Sequence, residues 1–186
     1  MPIPLPAVIQ ACARSVREVL LPALDPDDAP AQDQGRILLA TLEMLTEQAT
    51  VLHDYVLREI GEYADLVATI AGELEERRVP IETALAEEIS ACLEMAGPLV
   101  AHQPPPLSDL EELGNHLKSV TDRLLSVALA KRSTDGRVAE AVLAQARQQI
   151  YRERLWGAGS GFDPGATTFP GLGEYFRNEP QGAWSE

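Results

Sequence analysis

The fold of this chain is decided by residues 36–78, which read RILLATLEMLTEQATVLHDYVLREIGEYADLVATIAGELEERR. Apolar side chains recur there at alternating steps of three and four residues, the spacing of one face of an α-helix. This apolar seam consists of Leu38, Leu42, Leu45, Ala49, Leu52, Val56, Ile60, Tyr63, Val67, Ile70 and Leu74. Its phase continues across Gly61 and Gly72, which predicts one continuous helix; two helices hinged at Gly61 are the alternative.

Shorter helical patterns lie on both sides of this long helix. A first helix is predicted from about Pro6 to Ala23, and a polar, proline-containing break follows at 25–30. Its apolar stripe consists of Val8, Cys12, Val16, Val19 and Ala23. Val79-Pro80 ends the long helix, because the residue before a proline is pushed out of the helical region.

Three further apolar stripes predict helices after Pro80. They run from Leu85 to Ala96, from Leu110 to Val127 and from Val138 to Ile150. The low aromatic content, 5%, favours aliphatic helix packing over a β-sandwich. The predicted fold class is all-α: an elongated antiparallel helical bundle of about five helices, with a long second helix and an irregular aromatic-rich C-terminal arm.

The composition changes abruptly after Leu155. Glycine and proline become frequent, and seven of the nine aromatic residues lie in the last 36 positions. We predict a helical bundle over residues 1–155 and a docking arm over 156–186, ordered by contact, because disordered segments are normally poor in aromatic residues. The rings predicted to bind a protein partner, a second copy or a groove of this chain are Trp156, Phe162, Phe169, Tyr175, Phe176 and Trp184.

The charge is strongly negative and unevenly distributed. A net charge of −14 argues against nucleic acid and anionic membranes as partners, since both require clustered basic residues. Residues 118–154 nevertheless hold 8 basic and 4 acidic residues. Lys131, Arg132, Arg137, Arg147, Arg152 and Arg154 are therefore candidate anion-binding residues for a phosphate, a CoA moiety or an acidic partner. Alternatively, they lie against acidic helices of this chain or of another protomer.

No motif predicts a catalytic residue, a metal site or a cofactor. His53, His102 and His116 do not form the two Glu-x-x-His pairs of a carboxylate-bridged metal site. The glycines at 157–161 lack the lysine and the preceding strand of a phosphate loop. The remaining alternative is an enzyme or small-ligand binder with a site between helices.

The sequence predicts a cytoplasmic protein. Prolines interrupt the short apolar run at the N-terminus, no basic residue precedes that run, and no apolar stretch reaches the length of a membrane helix. Cys12 and Cys92 belong to no CxxC pair, so we expect two small buried hydrophobic residues in a reducing compartment.

One part of the chain resembles a known family. Residues 17–24, REVLLPAL, and 36–43, RILLATLE, are similar to the opening of small bacterial all-helical accessory proteins. Those proteins accompany aminoglycoside-phosphotransferase-like acyl-CoA kinases and acyl-CoA dehydrogenases in hydroxy-acid catabolism. The resemblance implies an accessory subunit of such a kinase and assigns no site residue. Together with the composition, it predicts a non-catalytic subunit that associates with an enzyme; a homo-oligomeric structural protein is a further alternative.

Overall fold

A computed structural model describes residues 3–97, 105–130, 136–160, 165 and 168–178. Every regular element among these residues is helical, which confirms the all-α prediction. In chain order the α-helices are α1 (Leu5–Ser15), α2 (Leu21–Ala23), α3 (Ala29–Glu76), α4 (Thr83–Ala96), α5 (Leu107–Ala130), α6 (Gly136–Trp156) and α7 (Leu172–Asn178). A π-helical turn, Val16–Leu20, joins α1 to α2, and a 3₁₀ turn, Ala158–Ser160, follows α6.

The long helix α3 is continuous through Gly61 and Gly72, as the unbroken seam predicts. It begins at Ala29, about two turns before the seam does. Asp28 stabilises this start, because its carboxylate accepts a hydrogen bond from the backbone N–H of Ala31 at 3.1 Å. Pro30 is compatible with the first turn, where its missing N–H has no helical partner to lose.

The predicted apolar stripe of the first helix is wrong, because Val8 and Cys12 are exposed on α1 and Val19 is exposed on the π-helical turn. The π-helical turn explains the exposure of Val19. Leu21 donates its backbone N–H to the carbonyl of Val16, five residues back, immediately before Pro22. Pro22 has no N–H to give and its ring would clash with a carbonyl four residues earlier, so a widened turn accommodates it. The extra residue rotates the following side chains about the axis. Val16 is buried, whereas Val19 is 63% exposed.

The chain packs as two compact units. Unit 1 consists of Met1–Leu52 and Tyr151–Glu186, and unit 2 of His53–Ile150. Both α3 and α6 contribute residues to each unit. The predicted aromatic arm therefore shares a unit with the N-terminal helices, a grouping that the sequence pattern did not indicate.

Unit 2 contains the best-covered part of the predicted seam. Val67, Ile70 and Leu74 of α3 are completely buried. The stripes predicted for the later helices supply the rest of this core: Leu85, Ile89, Cys92, Leu110, Leu117, Val120, Leu124 and Val138 are buried. Glu73 is also buried, and its carboxylate is paired with Arg77 at 2.5 Å and Arg137 at 3.3 Å. These pairs compensate the desolvation of its charge.

Within the arm that the sequence predicts to be irregular, the structure places the helix α7. Gly171 precedes this helix, and its carbonyl accepts the backbone N–H of Tyr175 at 3.0 Å. Leu172 and Tyr175 lie one turn apart and are both buried. The apolar face of this turn is thus covered by the rest of unit 1, which supports a helix too short to be stable alone.

Candidate functional site

The C-terminal aromatic residues form a cluster with two long helices of unit 1. Val51 of α3, Leu155 of α6, and Leu172 and Tyr175 of α7 are its buried members. Trp156, Phe169 and Phe176 are partly buried against it. The rings of Tyr175 and Phe176 meet edge to face, with centroids 5.0 Å apart and planes at 86°. This arrangement is favourable for aromatic pairs beyond the area that it buries.

Polar and close contacts hold the end of α6 against α3. Gln48 donates its side-chain amide to the carbonyl of Trp156 at 2.9 Å. Gly159 lies so close to Met44 that a Cβ at this position would be 3.2 Å from the Met44 Cβ. A glycine therefore permits the close approach of the two segments here.

Four of the six predicted partner-binding rings thus pack against this chain. Trp156, Phe169, Tyr175 and Phe176 belong to the cluster, and Tyr175 is only 4% exposed. Phe162 and Trp184 lie outside the described residues. Binding of a partner by these six residues stays a prediction; for the four that are described, the chain itself supplies a docking surface.

The same unit exposes a set of large aliphatic side chains, which we call the N-terminal aliphatic surface. Several of them lie on apolar stripes that the sequence pattern predicts to be buried. Leu38 and Leu45 are two turns apart on one side of α3, and Leu38 is 47% exposed. The full set consists of Ile3, Leu5, Val8, Val19, Leu20, Ile37, Leu38 and Leu45.

The segment before α3 covers only part of the neighbouring helix. Ala13 and Val16 are buried, and a Cβ on Gly35 would be 2.5 Å from a methyl carbon of Leu21. Arg17 forms an ion pair with Glu43. These contacts cover one side of α3 and leave the side with Leu38 and Leu45 open.

The candidate anion-binding residues occupy different environments. Arg137 pairs with Glu76 at 3.2 Å and with Glu73, whereas Arg152 is completely buried. The guanidinium of Arg154 lies 5.0 Å from the ring centroid of Phe169, a cation–π contact. Arg147 is exposed and forms no ion pair within the described part of the chain. Lys131 and Arg132 lie outside the described residues.

A groove in unit 2 is a candidate for a small-ligand site. It has a volume of about 300 Å³ and lies between α3 and α5, where Val56, Glu59, Leu110, Glu111, Gly114, Asn115 and Lys118 line it. The ammonium of Lys118 is 3.0 Å from the Glu59 carboxylate and 5.5 Å from the ring centroid of Tyr63. Since Glu59 and Glu111 outnumber the single cation, the lining does not favour a phosphate or CoA group.

Burial affects the titration of Tyr63 beside this groove. Desolvation raises the pKa of its phenol, and the nearby positive charge of Lys118 opposes that rise. The hydroxyl donates a hydrogen bond to the Gln149 side chain at 3.2 Å. Tyr63 is therefore a neutral donor at physiological pH, and no chemistry beyond hydrogen bonding follows from this arrangement.

The described residues contain neither a metal-binding cluster nor a membrane-spanning helix. No group of three or more His, Cys, Asp or Glu side chains there could hold a metal ion. Within the same ranges, no helix combines the length and the apolar character needed to cross a bilayer.

The two cysteines lie in opposite environments, so the expectation of two buried thiols is wrong for Cys12. Cys12 is exposed on α1, whereas Cys92 is 1% exposed on α4. Burial, and then the charge of Glu88, raise the pKa of the Cys92 thiol. We expect iodoacetamide at pH 8 to alkylate Cys12 at least about 100 times faster than Cys92, because only a thiolate in contact with solvent reacts.

Peptide mass spectrometry at timed intervals would measure both alkylation rates. Unfolding in urea should bring the two rates close together. Equal rates in the folded protein would contradict the burial of Cys92.

Comparison with known proteins identifies no relative. No protein-family model, curated protein or solved structure matches the chain.

Proposed function

We propose that this protein is a non-catalytic helical accessory or assembly subunit that associates with an enzyme. The observation that carries the proposal is the N-terminal aliphatic surface of unit 1. Its eight large aliphatic side chains are exposed just before α1, on α1, on the π-helical turn and on the first half of α3. Exposed apolar patches of roughly 300 to 600 Å² are often functional in soluble proteins.

The distribution of charge supports a protein partner at this surface. Residues 3–24 carry only Arg14, Arg17 and Glu18 as charged side chains, although the whole chain has a net charge of −14. Protein interfaces are depleted of charge at their centre and surrounded by polar residues. A weakly charged aliphatic region on a strongly acidic protein has this composition.

The class of enzyme is proposed from the resemblance at residues 17–24 and 36–43. It implies an acyl-CoA kinase or another enzyme that metabolises acyl-CoA. The low cysteine content supports association in a reducing compartment such as the cytoplasm. The alternative of a ligand site between helices is less well supported, because the groove beside Lys118 is small and Lys118 is already paired.

The double substitution Leu38→Asp and Leu45→Asp is expected to abolish partner binding and leave the helices intact. Both side chains are exposed, so a carboxylate there is solvated in the free protein but buried in a complex. We expect a loss of affinity of at least about 100-fold. The measurement is purification of tagged protein from its native host, with quantitative mass spectrometry of the enzymes that co-purify.

A charge-matched variant serves as the control. Thr50→Asp with Ala68→Asp adds two carboxylates at other exposed positions of α3 and should retain the same enzymes. Circular dichroism would verify that both variants are folded. An enzyme that binds the wild type and both variants equally would show that the surface is not its binding site. Recovery of no enzyme with the wild type would contradict the proposed function.

A further inference from the structure

The outer face of α6 in unit 2 carries an apolar and charged pattern that the proposed function does not use. Val138 is buried, and Val142 and Ala146 on the same side are half-buried. The opposite side is solvent-exposed, and we call it the outer face of α6. It consists of Glu140, Leu143, Ala144 and Arg147, with Ile150 at its edge. The sequence pattern predicts Ile150 on the same buried stripe as Val138, but the structure exposes it.

Two large aliphatic side chains on this face are well exposed. Leu143 is 54% exposed and Ile150 is 57% exposed, and they lie two turns apart. Ala144 is small enough to let a second helix approach closely. Exposed residues at heptad spacing beside a small residue are suited to packing against another helix.

The two charged residues of the outer face form no ion pair with any other residue that the structure describes. Glu140 and Arg147 are exposed, and neither forms an ion pair among the described residues. They are seven positions apart, which separates their Cα atoms by about 10.5 Å along the helix axis. They therefore do not form the local pair that residues three or four positions apart would form.

The spacing of these charges is self-complementary. A two-fold axis midway between positions 140 and 147 passes beside Leu143 and Ala144. In an antiparallel pair of α6 helices about this axis, Glu140 of each copy faces Arg147 of the other, so two Glu–Arg pairs form at once. Leu143 of each copy lies beside the axis and packs between the two Glu–Arg pairs. Closed two-fold contacts of this kind, with one patch meeting itself, are the commonest way in which soluble proteins assemble.

We propose that the outer face of α6 binds a second copy of this chain in an antiparallel two-fold dimer. Leu143 and Ala144 supply the apolar contact beside the axis, and Glu140 and Arg147 set the orientation and the register. A single helix pair buries less than the roughly 800 Å² per partner of a standard interface, so the dissociation constant is expected in the micromolar range or above. This surface shares no residue with the N-terminal aliphatic surface.

Charge reversal tests the register directly. Glu140→Arg brings two arginines together twice across the axis, and Arg147→Glu brings two glutamates together twice. Each variant alone should dimerise about tenfold more weakly than the wild type. An equimolar mixture of the two variants places an arginine opposite a glutamate at both positions. The mixture, and the doubly reversed chain Glu140→Arg with Arg147→Glu, should therefore recover wild-type affinity.

Sedimentation equilibrium of the full chain from about 1 µM to about 1 mM measures these affinities. Glu94→Arg on α4 is the matched control, because Glu94 is exposed and lies outside α6, and it should not change the affinity. Leu143→Asp should abolish the dimer. A wild type that remains monomeric at the highest concentration would overturn the proposal. So would self-association that charge reversal does not weaken, or weakened variants that fail to recover when mixed.

Whether the α6 dimer forms does not depend on whether the protein binds an enzyme. Leu38→Asp with Leu45→Asp should leave the α6 dimer unchanged, because these residues lie in unit 1. Glu140→Arg should leave enzyme binding at the N-terminal aliphatic surface unchanged. Each proposal can therefore fail while the other stands.

Discussion

Ile70→Asp is expected to unfold unit 2 under conditions in which the wild type is stable. Ile70 is completely buried on α3 between Val67 and Leu74, which are buried to the same degree. A carboxylate at this position loses its hydration without gaining a partner in an aliphatic core, and the change also removes the packing of the isoleucine. We expect a loss of more than about 4 kcal/mol in the free energy of unfolding, comparable to the whole stability of many domains. Urea unfolding followed by circular dichroism would measure it.

Leu38→Asp on the same helix is the matched control for this prediction. The two residues belong to one apolar seam in the sequence, but Leu38 is exposed. The control should change the free energy of unfolding by no more than about 0.5 kcal/mol, as surface substitutions usually do. Similar losses for the two variants would mean that the first half of α3 is covered in solution. Little effect of Ile70→Asp would contradict the core of unit 2.

Tyr175→Ala is expected to open the aromatic cluster of unit 1. The ring is buried, and it lies 5.0 Å from Phe176 and 5.8 Å from Tyr151, measured between ring centroids. Deleting a buried aromatic ring leaves a cavity and removes these contacts, at a cost of about 3 to 5 kcal/mol. The helix α7 has only seven residues, so its order depends on this packing. Hydrogen exchange should therefore accelerate in α7 and in the facing part of α3 near Val51.

Glu174→Ala is the control, since Glu174 precedes Tyr175 on α7 and is exposed. It should leave exchange in both segments within about twofold of the wild-type rate, because it removes no buried contact. Unchanged protection in Tyr175→Ala would show that the cluster does not hold the arm. A loss of protection confined to α7 would show that α3 is stable without it.

The helices could be predicted from the sequence because their signals are local. The continuity of α3 through Gly61 follows from an apolar phase that runs unbroken along the seam. The stripes of α4 and α5, with Leu85 and Leu117 among their buried members, follow from the same period. The candidate site was only partly predictable. The abrupt rise in aromatic content marked the arm, but not the surface against which Tyr175 packs.

The sequence by itself determined which side chains share a face of a helix, because neighbours along one helix are set by its geometry. Only the tertiary structure decided which of those faces are covered. Leu38 and Ile70 lie on the same predicted seam, yet one is exposed and the other buried, since burial depends on segments distant in sequence. The widened turn before Pro22 also turned Val19 outward, against the regular period. The surfaces proposed to bind an enzyme and a second copy are helix faces that other segments leave exposed. Spacing along one helix cannot specify which faces these are, because burial depends on segments distant in sequence.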